Sequence, residues 1–260
     1  MREIYYFIQM KVGILYVAIG RYTAFWPEFY KSAQVNLFPE AEKQFIVFSD
    51  GELPVSGPDV TVHHNDDMGW PLNTLMRYDM FCRIAPELEQ YDYLVFLNGN
   101  CKIVRPLPAE EFLPTGEEDY CAMCTQTDPE KMTHEHRPES EAYVAKGSVP
   151  RYWAGGINGG KTAAFLALAR ECSRMAHADL SAGIMPLWHD ESIVNKFLSD
   201  KHVKVLDRRM GRVATHKTPA DPYIILRRKD DVLGRGWLRT FKGRAHKSPW
   251  HKLLAKLGIK

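Results

Sequence analysis

Trp188-His189-Asp190-Glu191 puts an indole wall, a titratable ring and two adjacent carboxylates in four consecutive residues, with Ser192 completing the run. Glycosyl transfer needs that inventory: one acid facing the anomeric carbon, a second holding sugar hydroxyls, and an apolar surface for a sugar ring. An ordinary structural explanation exists as well. Ile193 to Leu198 reads as a helix, and carboxylates in a helix's first turn are stabilised by its macrodipole whether or not they do chemistry. Residue types alone leave both explanations open.

A second candidate, Asn98-Gly99-Asn100, follows the apolar run Tyr93 to Leu97. An enzyme that binds a nucleotide diphosphate often carries Asp-x-Asp at such a place, two carboxylates for Mn²⁺ or Mg²⁺. Asparagine oxygens are neutral and make poor sole ligands, so a diphosphate bound here must be neutralised by amides and fixed cations. A plain Asn-Gly turn also accounts for the tripeptide. The third candidate, Gly155-Gly156-Ile157-Asn158-Gly159-Gly160-Lys161-Thr162, formally satisfies the phosphate-loop pattern G-x-x-x-x-G-K-T. The residues before it, Val149 to Trp153, do not form the buried apolar strand from which such a loop springs. Glycines that let the backbone lie close to a sugar are the better reading. Cys121 and Cys124 form a C-x-x-C without a second pair, and His63, His64, Asp66 and Asp67 lack a defined ligand spacing, so no metal site is expected.

The elements around these residues follow from apolar patterning. Lys11 to Ile19, Gln44 to Phe48, Thr61 to His63, Tyr93 to Leu97 and Tyr120 to Cys124 read as strands. Phe25 to Val35, Leu72 to Leu88 and Thr162 to Met175 read as helices, the second broken by Pro86. Alternating strands and helices predict a doubly wound α/β fold with a mostly parallel sheet, whose ligands bind beyond the carboxyl ends of the strands.

The chain has 260 residues with 45% hydrophobic and 25% charged, enough for one large α/β domain, and no apolar run long enough to span a bilayer. Five cysteines, an odd number, fit a reducing cytoplasm better than a disulfide framework. The net charge of +2 is unevenly spread: from Arg227 to Lys260 eleven Lys/Arg face two Asp, so this stretch carries +9 and the remainder −7. Such a segment should meet an anion, whether a nucleotide diphosphate or an acidic lipid surface. Trp250 to Leu257 is a short basic amphipathic helix candidate that suits either contact with the inner face of a membrane or packing of its leucines on the domain. Nucleic acid is not expected as a partner, since no recognised fold motif accompanies the charge.

Taken in order, these pieces resemble the family 6 glycosyltransferases, which include the blood group A and B transferases and α-1,3-galactosyltransferase. The resemblance runs from about Tyr16 to Leu206. Its most specific element is WHDES-x-x-N-K-x-L at Trp188 to Leu198. Ala18-Ile19-Gly20-Arg21-Tyr22, Trp70 with Leu75-Met76-Arg77, the Asn98 to Asn100 position, Thr133 to Tyr143 and Tyr152 to Gly160 support it.

Charge and patterning give one domain over residues 1–220 and a basic C-terminal segment over 221–260. The resemblance implies a GT-A fold for that domain and retaining α-1,3 transfer from a UDP-sugar to a galactose-terminated, fucosylated or plain, oligosaccharide. It places Ala18, Ile19 and Tyr22 at the uridine, Trp70 near the uracil, and Arg77 near the donor phosphates or sugar. Asp190 would hold donor hydroxyls. Glu191 would face the reaction centre, as nucleophile or as the group that stabilises the oxocarbenium and orients the acceptor. Trp188, His189 and His134 would lie on the acceptor side. Animal members carry D-x-D where this chain has Asn98-Gly99-Asn100, whereas similar bacterial members carry N-x-N and work without metal. No cofactor is therefore expected, and Lys229 and Arg235 become candidates for neutralising the departing UDP. The family's selectivity triplet falls at Ala154-Gly155-Gly156, where small side chains leave room for an acetamido group and favour UDP-GalNAc over UDP-Gal. Two alternatives remain at this stage: a phosphate-loop NTPase or kinase, and an inactive nucleotide-sugar or glycan-binding module.

Overall fold

The run Lys11–Ala18 forms β1, apolar without alternation because both its faces are covered. It belongs to a computed structural model that describes residues 9–213 and 221–234. After a 3₁₀ turn at Gly20–Phe25 come α1 (Trp26–Asn36), β2 (Glu42–Ser49) and β3 (Val60–His64). Three short helices follow, α2 (Leu72–Leu75), α3 (Arg77–Arg83) and α4 (Ala85–Leu88), then β4 (Tyr93–Leu97), β5 (Cys101–Ile103), α5 (Ala109–Phe112) and β6 (Tyr120–Gln126). The order continues with β7 (Tyr152–Lys161), α6 (Thr162–Ser181), α7 (Asp190–Leu198), β8 (Val203–Leu206), β9 (Arg212–Val213), β10 (Ile224–Leu226) and α8 (Lys229–Leu233).

Among the described residues, seven strands form one sheet in the order β3-β2-β1-β4-β7-β6-β8. All neighbours pair in parallel except around β7, which runs antiparallel to both β4 and β6. This is the mostly parallel, helix-covered sheet of a GT-A, Rossmann-like fold, as the sequence implied. Side chains alternate across it: Leu94 and Phe96 of β4 join α3 and α6 through Tyr78, Phe81 and Phe165, whereas Val95 and Leu97 join α1 through Trp26 and Phe29.

One expectation needs correction. The periodic stretch Leu72 to Leu88 is three helices, because Met76 and Ile84 leave helical geometry. Pro86 opens α4 rather than ending a longer helix; in a continuous helix its ring would meet the carbonyl of Cys82. As the sequence argued, the glycine stretch is no phosphate loop; it is β7, inside the sheet. Its glycines permit close strand approach: a Cβ on Gly159 would lie 2.8 Å from the carbonyl oxygen of Leu94, and one on Gly160 2.5 Å from that of Asp119. Lys161, the would-be phosphate lysine, pairs at the surface with Asp119 at 2.9 Å.

A second sheet, β5-β10-β9, joins residues beyond 220 to the rest. Ile224 pairs with Ile103 and is fully buried in the core under β1, so the basic segment begins inside the packed body. Arg235 and the helix candidate Trp250 to Leu257 lie outside the described residues.

Candidate active site

Beyond the carboxyl ends of β1 and β4 lies a cleft of about 380 Å³, where an α/β sheet is expected to bind its ligand. Antiparallel β7 enters the sheet at this edge, so Gly155 and Gly156 extend past its pairing with Leu97 and line the cleft floor. Asn98 anchors them by donating from its backbone N–H to the Gly156 carbonyl at 2.8 Å. The opposite wall is the start of α7.

His189 precedes α7 with φ +55° and ψ −124°, a strained conformation for a residue with a side chain. That turn brings Asp190 and Glu191 into the first helical turn at the cleft wall. Glu191 is held on both oxygens: the Tyr152 hydroxyl donates to Oε1 at 2.8 Å and the Gly155 backbone N–H to Oε2 at 2.9 Å. Asn195, one turn on, closes the same interface. Its amide donates to the carbonyls of Trp153 and Glu191, both at 2.8 Å, and its oxygen accepts from the Trp153 N–H at 2.9 Å.

Asp190 is 2% exposed and faces Arg77, 7% exposed, with Nε 3.2 Å from Oδ2. The guanidinium is itself pinned, donating to the Thr74 carbonyl at 3.0 Å and lying 4.5 Å from the centre of the Phe96 ring. Oδ2 of Asp190 has charge compensation but no aligned hydrogen bond. Burial pushes this carboxyl up to about 7, with Arg77 pulling it down and Glu191 pushing it further up. Burial and then the Arg77 charge lower His189 to about 4, so its ring is neutral at pH 7, edge-on to Trp70 at 5.1 Å.

The structure brings most of the sequence-predicted residues to one place. Ile19, Tyr22, Trp70, Arg77, Asn98, Gly155, Gly156, Trp188, His189, Asp190, Glu191 and Lys229 all line the cleft. Others lie apart. Ala18 is sealed in the core, Ala154 packs against that same core, and His134 is buried beside the Tyr152 ring at 4.9 Å. Asn100 faces the C-terminal segment: its amide donates to the Arg227 carbonyl at 2.9 Å and its oxygen accepts from the Asn98 amide at 3.1 Å. The two asparagines thus satisfy each other and a backbone strap, without a carboxylate between them. That donor set does not fit a divalent cation. The strap also sets Lys229 over the Tyr22 ring at 5.3 Å, while Arg21 donates to the Leu233 carbonyl.

Tyr152 and Asn195 were not singled out as site residues. Asn195 was within reach, since it lies one helical turn after Glu191 and so shares its face. Tyr152 carried no such signal.

Contact between β7 and α7 makes Gly155 irreplaceable. An added Cβ would stand 2.8 Å from Glu191 Cβ and 2.9 Å from its Cα, both fixed atoms. Gly155→Ala is expected to push α7 outward and lower kcat by about 10²-fold with a smaller loss of stability. Steady-state kinetics beside a melting curve checks this; unchanged kcat refutes the tight contact.

Residues 1–212 match the profile of glycosyltransferase family 6. The chain is 29% identical over 227 residues to an O-antigen biosynthesis glycosyltransferase, WbnI, of Escherichia coli, covering 85% of this chain and 96% of that protein. It is 26% identical over 219 residues to globoside alpha-1,3-N-acetylgalactosaminyltransferase 1 of Homo sapiens, covering 79% of this chain and 62% of that one. With the histo-blood group ABO system transferase 1 of Rattus norvegicus it shares 27% identity over 214 residues, 75% of this chain and 59% of that protein. The chain thus spans about three fifths of these mammalian relatives.

Proposed function

The chain belongs to glycosyltransferase family 6, and we propose that it moves N-acetylgalactosamine from UDP-GalNAc in α-1,3 linkage onto a galactose-terminated glycan, with retention and without a metal ion. Membership makes it a hexosyltransferase with a nucleotide-sugar donor and a glycan acceptor. The finer reading rests chiefly on one observation. Glu191 is fixed by two hydrogen bonds on the cleft wall, beside a buried Asp190 whose Oδ2 has no hydrogen bond.

In the reaction the C1–O bond to the diphosphate breaks and a C1–O bond to the acceptor hydroxyl forms, the hydroxyl proton leaving with the UDP phosphate or solvent. Asp190 accepts hydrogen bonds from donor hydroxyls. Glu191 meets the positive charge that develops at C1, either by bonding to it or by stabilising it. Lys229, Arg77 and the Asn98 amide supply positive potential to the leaving group in place of a cation. Gly155 and Gly156 line the cleft with no side chain of their own, and the name of the human relative, an N-acetylgalactosaminyltransferase, agrees with a GalNAc donor.

No helix among the described residues is long and apolar enough to cross a membrane. The five free cysteines suit a cytoplasmic enzyme, and the charge of the C-terminal sequence suits contact with an acidic lipid surface. The phosphate-loop reading loses its basis now that Ile157 to Lys161 is paired within the sheet.

UDP release from purified protein tests the proposal. Release from UDP-GalNAc is expected to exceed that from UDP-Gal and to be unchanged by EDTA. Loss of release in EDTA overturns the metal-free mechanism, and faster release from UDP-Gal overturns the donor.

A further inference from the structure

Trp188 lines the cleft and Leu187 leads into it, both with little packing of their own, 48% and 50% exposed. Something else must fix their position. The wall is tied to a distant segment: the Trp188 indole N–H donates to Thr133 Oγ1 at 3.0 Å, and the Leu187 backbone N–H donates to Glu135 Oε2 at 2.8 Å. Glu135 is 3% exposed, and Arg137 grips it three times, from its backbone N–H (3.0 Å), Nε (2.9 Å) and Nη2 (2.6 Å). The same Nη2 reaches the Met185 carbonyl at 2.6 Å. One ion pair therefore joins residues 133–137 to both ends of the stretch 185–187 that leads into the catalytic turn.

The far end of the segment is anchored separately. The Ser140 hydroxyl and the Glu141 N–H donate to the buried Asp179 carboxylate of α6, at 2.6 and 2.7 Å. The segment is thus a brace between the rigid helix α6 and the exposed indole. Hydrogen bonds from Arg137 hold the Glu135 carboxyl down near 2, so the brace stays charged throughout the working pH range.

We propose that Glu135 and Arg137 are positioning residues for the acceptor, holding Thr133 and Trp188 as one wall. They touch neither Asp190 nor Glu191, so donor cleavage by water does not need them, whereas transfer to a glycan does. This rests on the reading that Trp188 faces the acceptor.

The test compares wild type, Glu135→Gln, Arg137→Gln and Trp188→Ala, using UDP-GalNAc with lactose or 2′-fucosyllactose as acceptor probe. Both brace variants are expected to raise acceptor KM about tenfold while UDP release to water stays within about twofold. Hydrogen exchange at residues 185–188 is expected to speed up in both, with exchange in the sheet unchanged. Equal losses of transfer and hydrolysis, or protected exchange at 185–188, overturn the brace. If Glu135→Gln does not fold, Arg137→Gln decides, since the Arg137 side chain is half exposed. If Trp188→Ala leaves acceptor KM unchanged, or neither sugar is accepted, the acceptor-side reading falls, and the exchange measurement still decides whether the brace exists.

Discussion

Glu191→Gln is expected to lower turnover about 10²–10³-fold while leaving UDP binding within about twofold. The substitution keeps the size of the side chain and removes its charge. Gln Oε1 can still accept from the Gly155 N–H. Its amide can donate to the Tyr152 hydroxyl, which turns from donor to acceptor. Because both contacts are restored, α7 keeps its place on β7, and Asn195 continues to bridge the two. What is lost is the carboxylate at C1, needed by either route: an amide neither bonds covalently to the sugar nor offsets the oxocarbenium charge. Turnover and calorimetric UDP binding measured on the same preparation separate chemistry from assembly. Turnover within tenfold of wild type removes Glu191 from the reaction centre, and loss of UDP binding shows that the variant disturbs the donor site instead.

How far the site could be read from sequence depended on where its signals lay. Runs such as Tyr93–Leu97 announce themselves, because a strand buried on both faces is continuously apolar. β7 shows the opposite case. Six of its ten residues are Gly, Ala or Asn, and it belongs in the sheet because Leu94 and Asp119 come too close for anything larger than Gly159 and Gly160. That reason lies in partners far away along the chain. Trp188 to Glu191 could be singled out by residue type alone, since glycosyl transfer calls for those types together, and all four line the cleft. The pairing of Asp190 with Arg77 and the Tyr152 hydrogen bond to Glu191 depend instead on how α3, β7 and α7 meet, which no local pattern encodes. The asparagines illustrate a further limit. Their type argued against a cation, but only the fold shows Asn100 engaged with the Arg227 backbone.

Asp190→Asn is expected to lower turnover at least about 10²-fold, and its melting temperature relative to wild type is expected to rise with pH. An aspartate in the unfolded chain ionises near 3.9, whereas burial raises Asp190 to about 7 in the folded protein. Between those values the folded protein holds a proton that the unfolded chain has released. Wild-type stability from this group is therefore full below about pH 4 and is lost as pH rises through 7, at up to about 1.4 kcal/mol per pH unit. Asparagine does not titrate, so the variant escapes that loss. Wild-type turnover should move the other way, rising through about pH 7 as Asp190 becomes the carboxylate that sugar hydroxyls can donate to. Arg77, held by Thr74 and Phe96, limits the penalty without cancelling it, which is how a buried pair behaves when desolvation outweighs attraction. Melting curves of the two proteins that run parallel from pH 4 to 8 refute the raised carboxyl, and retained turnover in the variant refutes its role. If stability falls while activity climbs over the same pH interval, then Asp190 is kept for its chemistry, and the fold carries it at a cost.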